Sequence, residues 1–98
     1  MTARPLFPLG QVVATPGAIS RMEHLGIEPS TLVSRHVTGD WGDLDPEDRG
    51  LNEQALTDGS RLMSVYGTDD ACLWVITDAV SDDEGTRAAT TILRPDDY

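Results

Sequence analysis

His36 is the residue whose type and surroundings are best suited to chemistry. It follows Leu32 by one helical turn, stands beside Arg35 and precedes an acid-rich stretch that begins at Asp40. A carboxylate close to the imidazole would raise its pKa and let it act as an acid near neutral pH. The structural interpretation, which we favour, is a half-buried histidine that binds a backbone carbonyl where a helix ends.

The stretch from residue 40 to residue 48, DWGDLDPED, is the second candidate and is called the acidic segment below. The whole chain carries 17 acidic residues against 7 arginines, with no lysine, and its net charge is −10. Such a surface repels phosphate, so a basic protein surface is the expected partner and direct nucleic-acid binding is not expected. The expected partner-binding residues are Asp40, Trp41, Asp43, Asp45, Glu47 and Asp48.

Two other interpretations of the acidic segment stay open. The acids could serve solubility alone, because runs of like charge commonly form a solvated surface. Trp41 lies between Gly39 and Gly42, and we expect it to fill the edge of the core while the glycines permit a tight turn. An exposed Trp41 would instead indicate contact with a partner.

No sequence pattern predicts a metal or a cofactor. His24 and His36 fall on different predicted helices, without a cysteine pair or an HExxH motif, and the acidic segment lacks the glycine and the terminal glutamate of an EF-hand loop. The single cysteine, Cys72, excludes an intrachain disulfide and favours the cytoplasm. No apolar run is long enough to cross a membrane, and we expect no membrane association. The oligomeric state stays open.

The elements that would position these residues divide into a helical half and a β half. Thr15 and Pro16 are typical of a helix start, and Gly26 is typical of a helix end. Further helices are predicted from Pro29 to about Thr38, and from a cap at Asp45 to a stop at Gly59. From residue 60 the apolar period changes to two, which predicts strands in RLMSVY, CLWVITDAV and AATTILR.

Short connections between these three strands predict an antiparallel meander. We therefore predict a single α+β domain, residues 1–98. Three N-terminal helices pack on a C-terminal sheet of three to four antiparallel strands, with residues 11–14 as an additional edge strand. The predicted core consists of Val12, Ile19, Met22, Leu32, Val33, Leu51, Leu56, Met63, Val65, Trp74, Ile76, Ile92 and Leu93.

Several stretches carry a resemblance that covers nearly the whole chain, among them LFPLGQVVATPGA, RHVTGDWGDLDPEDRGLNEQAL, LWVIT and TTILRPDDY. They are similar to a family of small plasmid-related proteins found on bacterial plasmids, integrative elements and phages. The chain departs from the family pattern at DAVSDDEGTR, residues 78–87, an acidic insertion in which Arg87 matches the family's turn arginine.

The family has no established activity. The resemblance implies an accessory protein of a mobile genetic element, from gene neighbourhoods that often carry anti-defence functions. Together with the charge, it favours a non-enzymatic binding protein that inhibits a host defence or DNA-handling protein by phosphate mimicry.

The order of helices followed by a meander also resembles, at the level of fold alone, the small ribonuclease toxins of the barnase and RelE type. Those proteins place histidine or arginine, with hydroxyl residues, on the open face of the sheet. The resemblance implies a metal-independent ribonuclease with His36, Arg61, Arg87, Thr90 and Thr91 as catalytic residues. Such a site needs positive charge around the scissile phosphate, and this chain has a net charge of −10 and no lysine. The ribonuclease is therefore the alternative hypothesis, and the binding protein is the leading one.

Overall fold

A computed structural model describes residues 4–98, which form three α-helices and one four-stranded sheet. The helices are α1 (Pro16–Leu25), α2 (Pro29–Val37) and α3 (Pro46–Asp58), and the strands are β1 (Gln11–Ala14), β2 (Leu62–Tyr66), β3 (Leu73–Thr77) and β4 (Ala89–Leu93). Two short 3₁₀ turns are formed by Asp69–Ala71 and Pro95–Asp97. The predicted α+β class is confirmed. Within residues 4–98, every helix is too short or too polar to cross a membrane.

Side-chain caps determine where α1 and α3 begin. Thr15 Oγ1 accepts the backbone N–H of Ala18 at 3.1 Å, and Asp45 Oδ1 accepts that of Asp48 at 2.9 Å. Each cap is followed by a proline in the first helical turn, where a backbone donor is not needed. Both helices end at a glycine in the left-handed conformation, so the boundaries predicted for them are confirmed.

The sheet is mixed, and the prediction of a purely antiparallel sheet is wrong in this respect. Its strand order is β1-β4-β3-β2, in which β2, β3 and β4 form the predicted antiparallel meander. β1 adds to β4 in parallel, and it precedes the helices instead of following them. All three helices lie in the crossover from β1 to β2, and a crossover of this kind returns the chain in its original direction.

The helices cover one face of the sheet, the inner face, which supplies most of the core. Its residues on β2, β3 and β4 are all buried: Leu62, Ser64, Tyr66, Leu73, Val75, Thr77, Thr90 and Ile92. Phe7, Trp41, Leu44, Val37 and Leu62 belong to a second apolar cluster at one end of this face. The opposite or outer face presents Met63, Val65, Trp74, Ile76, Thr91 and Leu93.

The predicted core is only partly correct. Met22, Leu32, Ile76, Ile92 and Leu93 are buried, whereas Val12, Ile19 and Leu51 are exposed, the last at 60%. Trp74, Met63 and Val65 lie half-buried on the outer face, and Val33 and Leu56 are also half-buried. The strand LWVIT is apolar on both faces, so alternation alone does not identify the face that meets the helices.

Candidate functional site

His36 lies on the last turn of α2 and is fully buried against the inner face of the sheet. Its Nδ1 atom is 2.6 Å from Ser64 Oγ on β2, and its Nε2 atom is 2.9 Å from Thr77 Oγ1 on β3. Thr77 Oγ1 is 2.7 Å from Thr90 Oγ1 on β4, which in turn donates to the carbonyl of Leu9. These hydrogen bonds form one chain across three neighbouring strands, called the hydroxyl chain below.

The hydroxyl chain fixes the tautomer of the imidazole. Thr90 uses its only proton on the carbonyl of Leu9, so the hydroxyl of Thr77 must donate to Thr90. Thr77 Oγ1 then accepts from Nε2–H of His36, and Nδ1 accepts the proton of Ser64. Every bond runs in one direction, from Ser64 to Leu9, and bonds ordered in this way strengthen each other in a low-dielectric interior.

Both expectations for His36 need correction. No carboxylate of residues 4–98 contacts the ring, and burial lowers the pKa of His36 to about 4 instead of raising it. The residue does not bind a backbone carbonyl, and it is buried more deeply than predicted. Because neither nitrogen is open to solvent, His36 cannot exchange a proton with a substrate in this conformation.

Two aromatic rings enclose His36 on its remaining sides. Phe7 meets the imidazole edge-on at a centroid distance of 5.2 Å, and Trp41 does so at 5.8 Å. Trp41 is 5% exposed, and its indole N–H has no hydrogen-bond partner among residues 4–98. It therefore fills the core edge, and its ring is not offered to a partner.

Arg87 is also buried, and it holds the end of α3. Its guanidinium donates to the carbonyls of Ser60 at 2.7 Å, Asp78 at 3.0 Å and Ala55 at 3.3 Å. Desolvation lowers the pKa of Arg87 from its ordinary value. Only the Ala55 carbonyl belongs to α3, where it also accepts the N–H of Gly59, so the side chain links the 78–87 insertion to the end of the helix and to Ser60 beyond it.

The structure does not bring together the five residues named for a ribonuclease. His36 and Thr90 are buried on the inner face, and Arg87 is buried at the end of α3. Arg61, Thr91 and Tyr98 line an open pocket of about 510 Å³ on the outer face. The sheet itself separates the histidine from this pocket.

The acidic segment runs along the edge of β2 and completes it. Val65 donates its N–H to the carbonyl of Trp41 at 3.1 Å, and Asp43 donates its own N–H to the carbonyl of Val65. Gly42 makes this approach possible, because a Cβ on it would lie 2.0 Å from the Val65 oxygen and its φ is +72°. The side chain of Asp43 extends the pairing by accepting the N–H of Gly67 at 2.8 Å.

The five acids of the segment have different surroundings. Asp40 forms an ion pair with Arg35 at 2.7 Å and accepts the N–H of Gly42, and both contacts lower the pKa of its carboxyl group. Asp43 and Asp45 each accept one backbone N–H, which fixes their orientation. Glu47 and Asp48 lie in the first turn of α3, where the helix dipole favours negative charge.

Six of the seven arginines, by contrast, are engaged by the chain itself. The ion pairs formed within residues 4–98 are Arg35–Asp40 and Arg94–Asp97, so most of the 17 acids form none. Arg21 and Arg49 donate to backbone carbonyls, and Arg61 donates to the hydroxyl of Tyr98. Most of the unpaired charges at the surface are therefore negative.

Sequence reasoning missed the partners of His36. Ser64 is a lone hydroxyl residue in an apolar strand, and Thr77 and Thr90 resemble ordinary β-branched strand residues. The usable signal is the position of Ser64 and Thr77 within their strands, where each takes the place of an apolar residue on a buried face. A polar side chain at such a position needs a polar partner. Groups of three or more His, Cys, Asp or Glu arranged to hold a metal are absent from residues 4–98.

Comparison with known proteins gives no match among family models, curated proteins or solved structures.

Proposed function

We propose that the protein is a non-enzymatic acidic binding protein of a mobile genetic element, whose partner is a basic protein surface. The observation that carries the proposal is the separation of charge, in which six of the seven arginines contact their own chain while most carboxylates stay unpaired at the surface. The proposed assignment to a mobile genetic element is based on the sequence resemblance described above. The proposed consequence is inhibition of a host defence or DNA-handling protein.

Four acids of the segment, Asp43, Asp45, Glu47 and Asp48, form the proposed binding surface. Asp43 and Asp45 use one oxygen each on a backbone N–H, leaving Oδ1 of Asp43 and Oδ2 of Asp45 outside these bonds. Carboxylates that are already oriented lose less conformational entropy when a partner binds. Asp40 contributes less because Arg35 neutralises it, and Trp41 is excluded because it is buried.

Phosphate mimicry follows from the chemistry of these groups. Arginine binds carboxylates and phosphates through the same planar arrangement of donors, so carboxylates clustered along this segment can occupy arginines that normally hold a nucleic-acid backbone. Association driven in this way is fast at low salt and weakens as salt shortens the range of the field to about 8 Å at physiological ionic strength. We do not propose the ribonuclease alternative, since the sheet separates its residues and no basic surface surrounds them.

A capture experiment with charge-matched variants tests this proposal. The tagged protein is used to recover partners from a bacterial host, in parallel with a variant carrying Asp43→Asn, Asp45→Asn, Glu47→Gln and Asp48→Asn. The amides keep the acceptor oxygens that Gly67 and α3 require, so the fold should persist. The control variant carries Glu23→Gln, Glu28→Gln, Asp83→Asn and Glu84→Gln, which removes the same charge from other exposed positions.

The proposal predicts that the wild type and the control recover the same basic protein and that the segment variant loses it. Equal recovery by the wild type and the segment variant would contradict the proposal, as would an acidic partner. Equal loss by both variants would mean that total charge decides binding and that the segment has no special role.

A further inference from the structure

The two edges of the sheet differ in whether their outward backbone groups are hydrogen-bonded. At the β2 edge, the side chain of Asn52 pairs with both backbone groups of Met63, donating to its carbonyl at 2.6 Å and accepting its N–H at 3.1 Å. The acidic segment satisfies both groups of Val65 on the same edge. This edge is therefore closed to further strand pairing.

The β1 edge is open. Gln11 and Thr15 donate to the carbonyls of Ala88 and Ile92 on β4, so in this parallel ladder the alternate residues 11, 13 and 15 use their backbone groups on β4. The N–H and C=O groups of Val12 and Ala14 consequently point away from the sheet, and no group of residues 4–98 bonds to them. The side chains of Val12 and Val13 are 46% and 39% exposed.

This edge is also the part of the molecule without carboxylates. Residues 4–22 contain no acid, and their only charges are Arg4 and Arg21. Asp97 reaches Thr15 at the end of β1, but Arg94 neutralises it in an ion pair of 2.8 Å. In a chain of net charge −10, a second copy meets like charge on most of the surface but not along β1.

We propose that β1 is a self-association edge, along which two copies of the chain pair their β1 strands antiparallel about a twofold axis. The pairing that uses all the outward groups places Val12 opposite Ala14 of the second copy, and Ala14 opposite Val12 of the second copy. Val13 then faces its own counterpart across the axis. The two sheets join into one continuous sheet of eight strands, and the proposed acidic binding surface lies on the far, closed edge of each copy.

The interface is short, so the dimer should be in exchange with the monomer. A four-residue strand pair buries less than the roughly 1,200 Å² of a stable complex. Because screening relieves the repulsion between two acidic copies, added salt should strengthen this contact. Capture of a basic partner should respond to salt in the opposite sense, which keeps the two proposals separable.

Sedimentation equilibrium of the purified protein, with no partner present, tests the inference. The weight-average mass should rise with concentration from 10.6 kDa towards twice that value, up to about 0.5 mM protein. Val12→Pro removes an outward donor without touching the bonds between β1 and β4, and Val13→Lys places two like charges at the axis. Each should weaken dimerisation at least about tenfold. Thr31→Lys, on the exposed side of α2, is the charge-matched control for Val13→Lys and should dimerise like the wild type.

Hydrogen exchange keeps the inference testable if Val12→Pro disturbs the fold. In the wild type, the amides of Val12 and Ala14 should exchange more slowly at high protein concentration than at low concentration. A wild type that stays monomeric would overturn the inference, including the case in which a strand of another protein occupies this edge. A dimer that Val13→Lys leaves unchanged, or one without concentration-dependent protection of these amides, would overturn it as well.

Discussion

The burial of His36 within the hydroxyl chain makes a quantitative prediction about acid pH, because burial disfavours the protonated imidazole. Its pKa is about 4 in the folded protein and about 6.5 in an unfolded chain, so the unfolded state binds the proton more tightly. The stabilising contribution is therefore complete above pH 6.5 and is lost as the pH falls towards 4. Over this interval the free energy of unfolding should drop by about 3 kcal/mol on account of this residue, at up to about 1.4 kcal/mol per pH unit.

Urea denaturation between pH 4.5 and 7.5 measures this drop, with His36→Gln as the test variant. The glutamine cannot be protonated, so this variant should be less stable at pH 7 but should lack the steep loss between pH 6.5 and 4.5. His24→Gln is the matched control, because His24 is exposed on α1 and should leave the wild-type dependence unchanged. Carboxylates whose pKa is lowered, such as Asp97 beside Arg94, lose their contribution only below this range.

Subtracting the free energy of unfolding of His36→Gln from that of the wild type at each pH cancels the contribution of the other titratable groups, which both proteins contain. Curves of equal slope for these two proteins would refute the account of the hydroxyl chain. They would mean that the buried imidazole accepts a proton without a desolvation cost.

Substitutions at three further positions test how local contacts stabilise the fold. Arg87→Met keeps much of the side-chain volume but removes the donors to three carbonyls, and it should cost about 2 kcal/mol in urea denaturation; an unchanged midpoint would refute the role of Arg87 in linking the insertion to α3. Asn52→Ala should also cost about 2 kcal/mol, since both backbone groups of Met63 lose their partner. Asp45→Ala should cost about 1 kcal/mol through the lost cap, whereas Asp45→Asn should preserve thermal stability. An equal loss for both would show that charge, not capping, matters there.

The limits of sequence reasoning can be traced to particular residues. The boundaries of α1 and α3 could be predicted because Thr15, Asp45, Gly26 and Gly59 act through bonds within a few residues. Residues 11–14 were also correctly predicted as an edge strand, but their parallel pairing with β4 was not, because it joins residues far apart in sequence and periodicity carries no information about strand direction.

In the candidate site, too, local features could be predicted and contacts between distant parts of the sequence could not. That Trp41 would lie at the core edge followed from its neighbouring glycines, since a tight turn there is a local property. That His36 would be bonded to Ser64 and Thr77 did not follow, because those contacts span three elements and depend on which face of LWVIT meets the helices. The same ambiguity placed Trp74 in the predicted core, whereas it lies half-buried on the outer face, edge-on to Tyr98 at 5.7 Å.

Competition with DNA tests the central claim, that the acidic segment occupies a phosphate-binding surface. A basic partner recovered by capture is loaded with fluorescent duplex DNA, and the protein is titrated in while anisotropy is recorded at several salt concentrations. The account predicts that the wild type displaces the DNA, less effectively as salt rises, and that the variant with Asp43, Asp45, Glu47 and Asp48 neutralised does not. A partner that holds DNA and the protein at the same time, or displacement by the neutralised variant at the wild-type concentration, would contradict it.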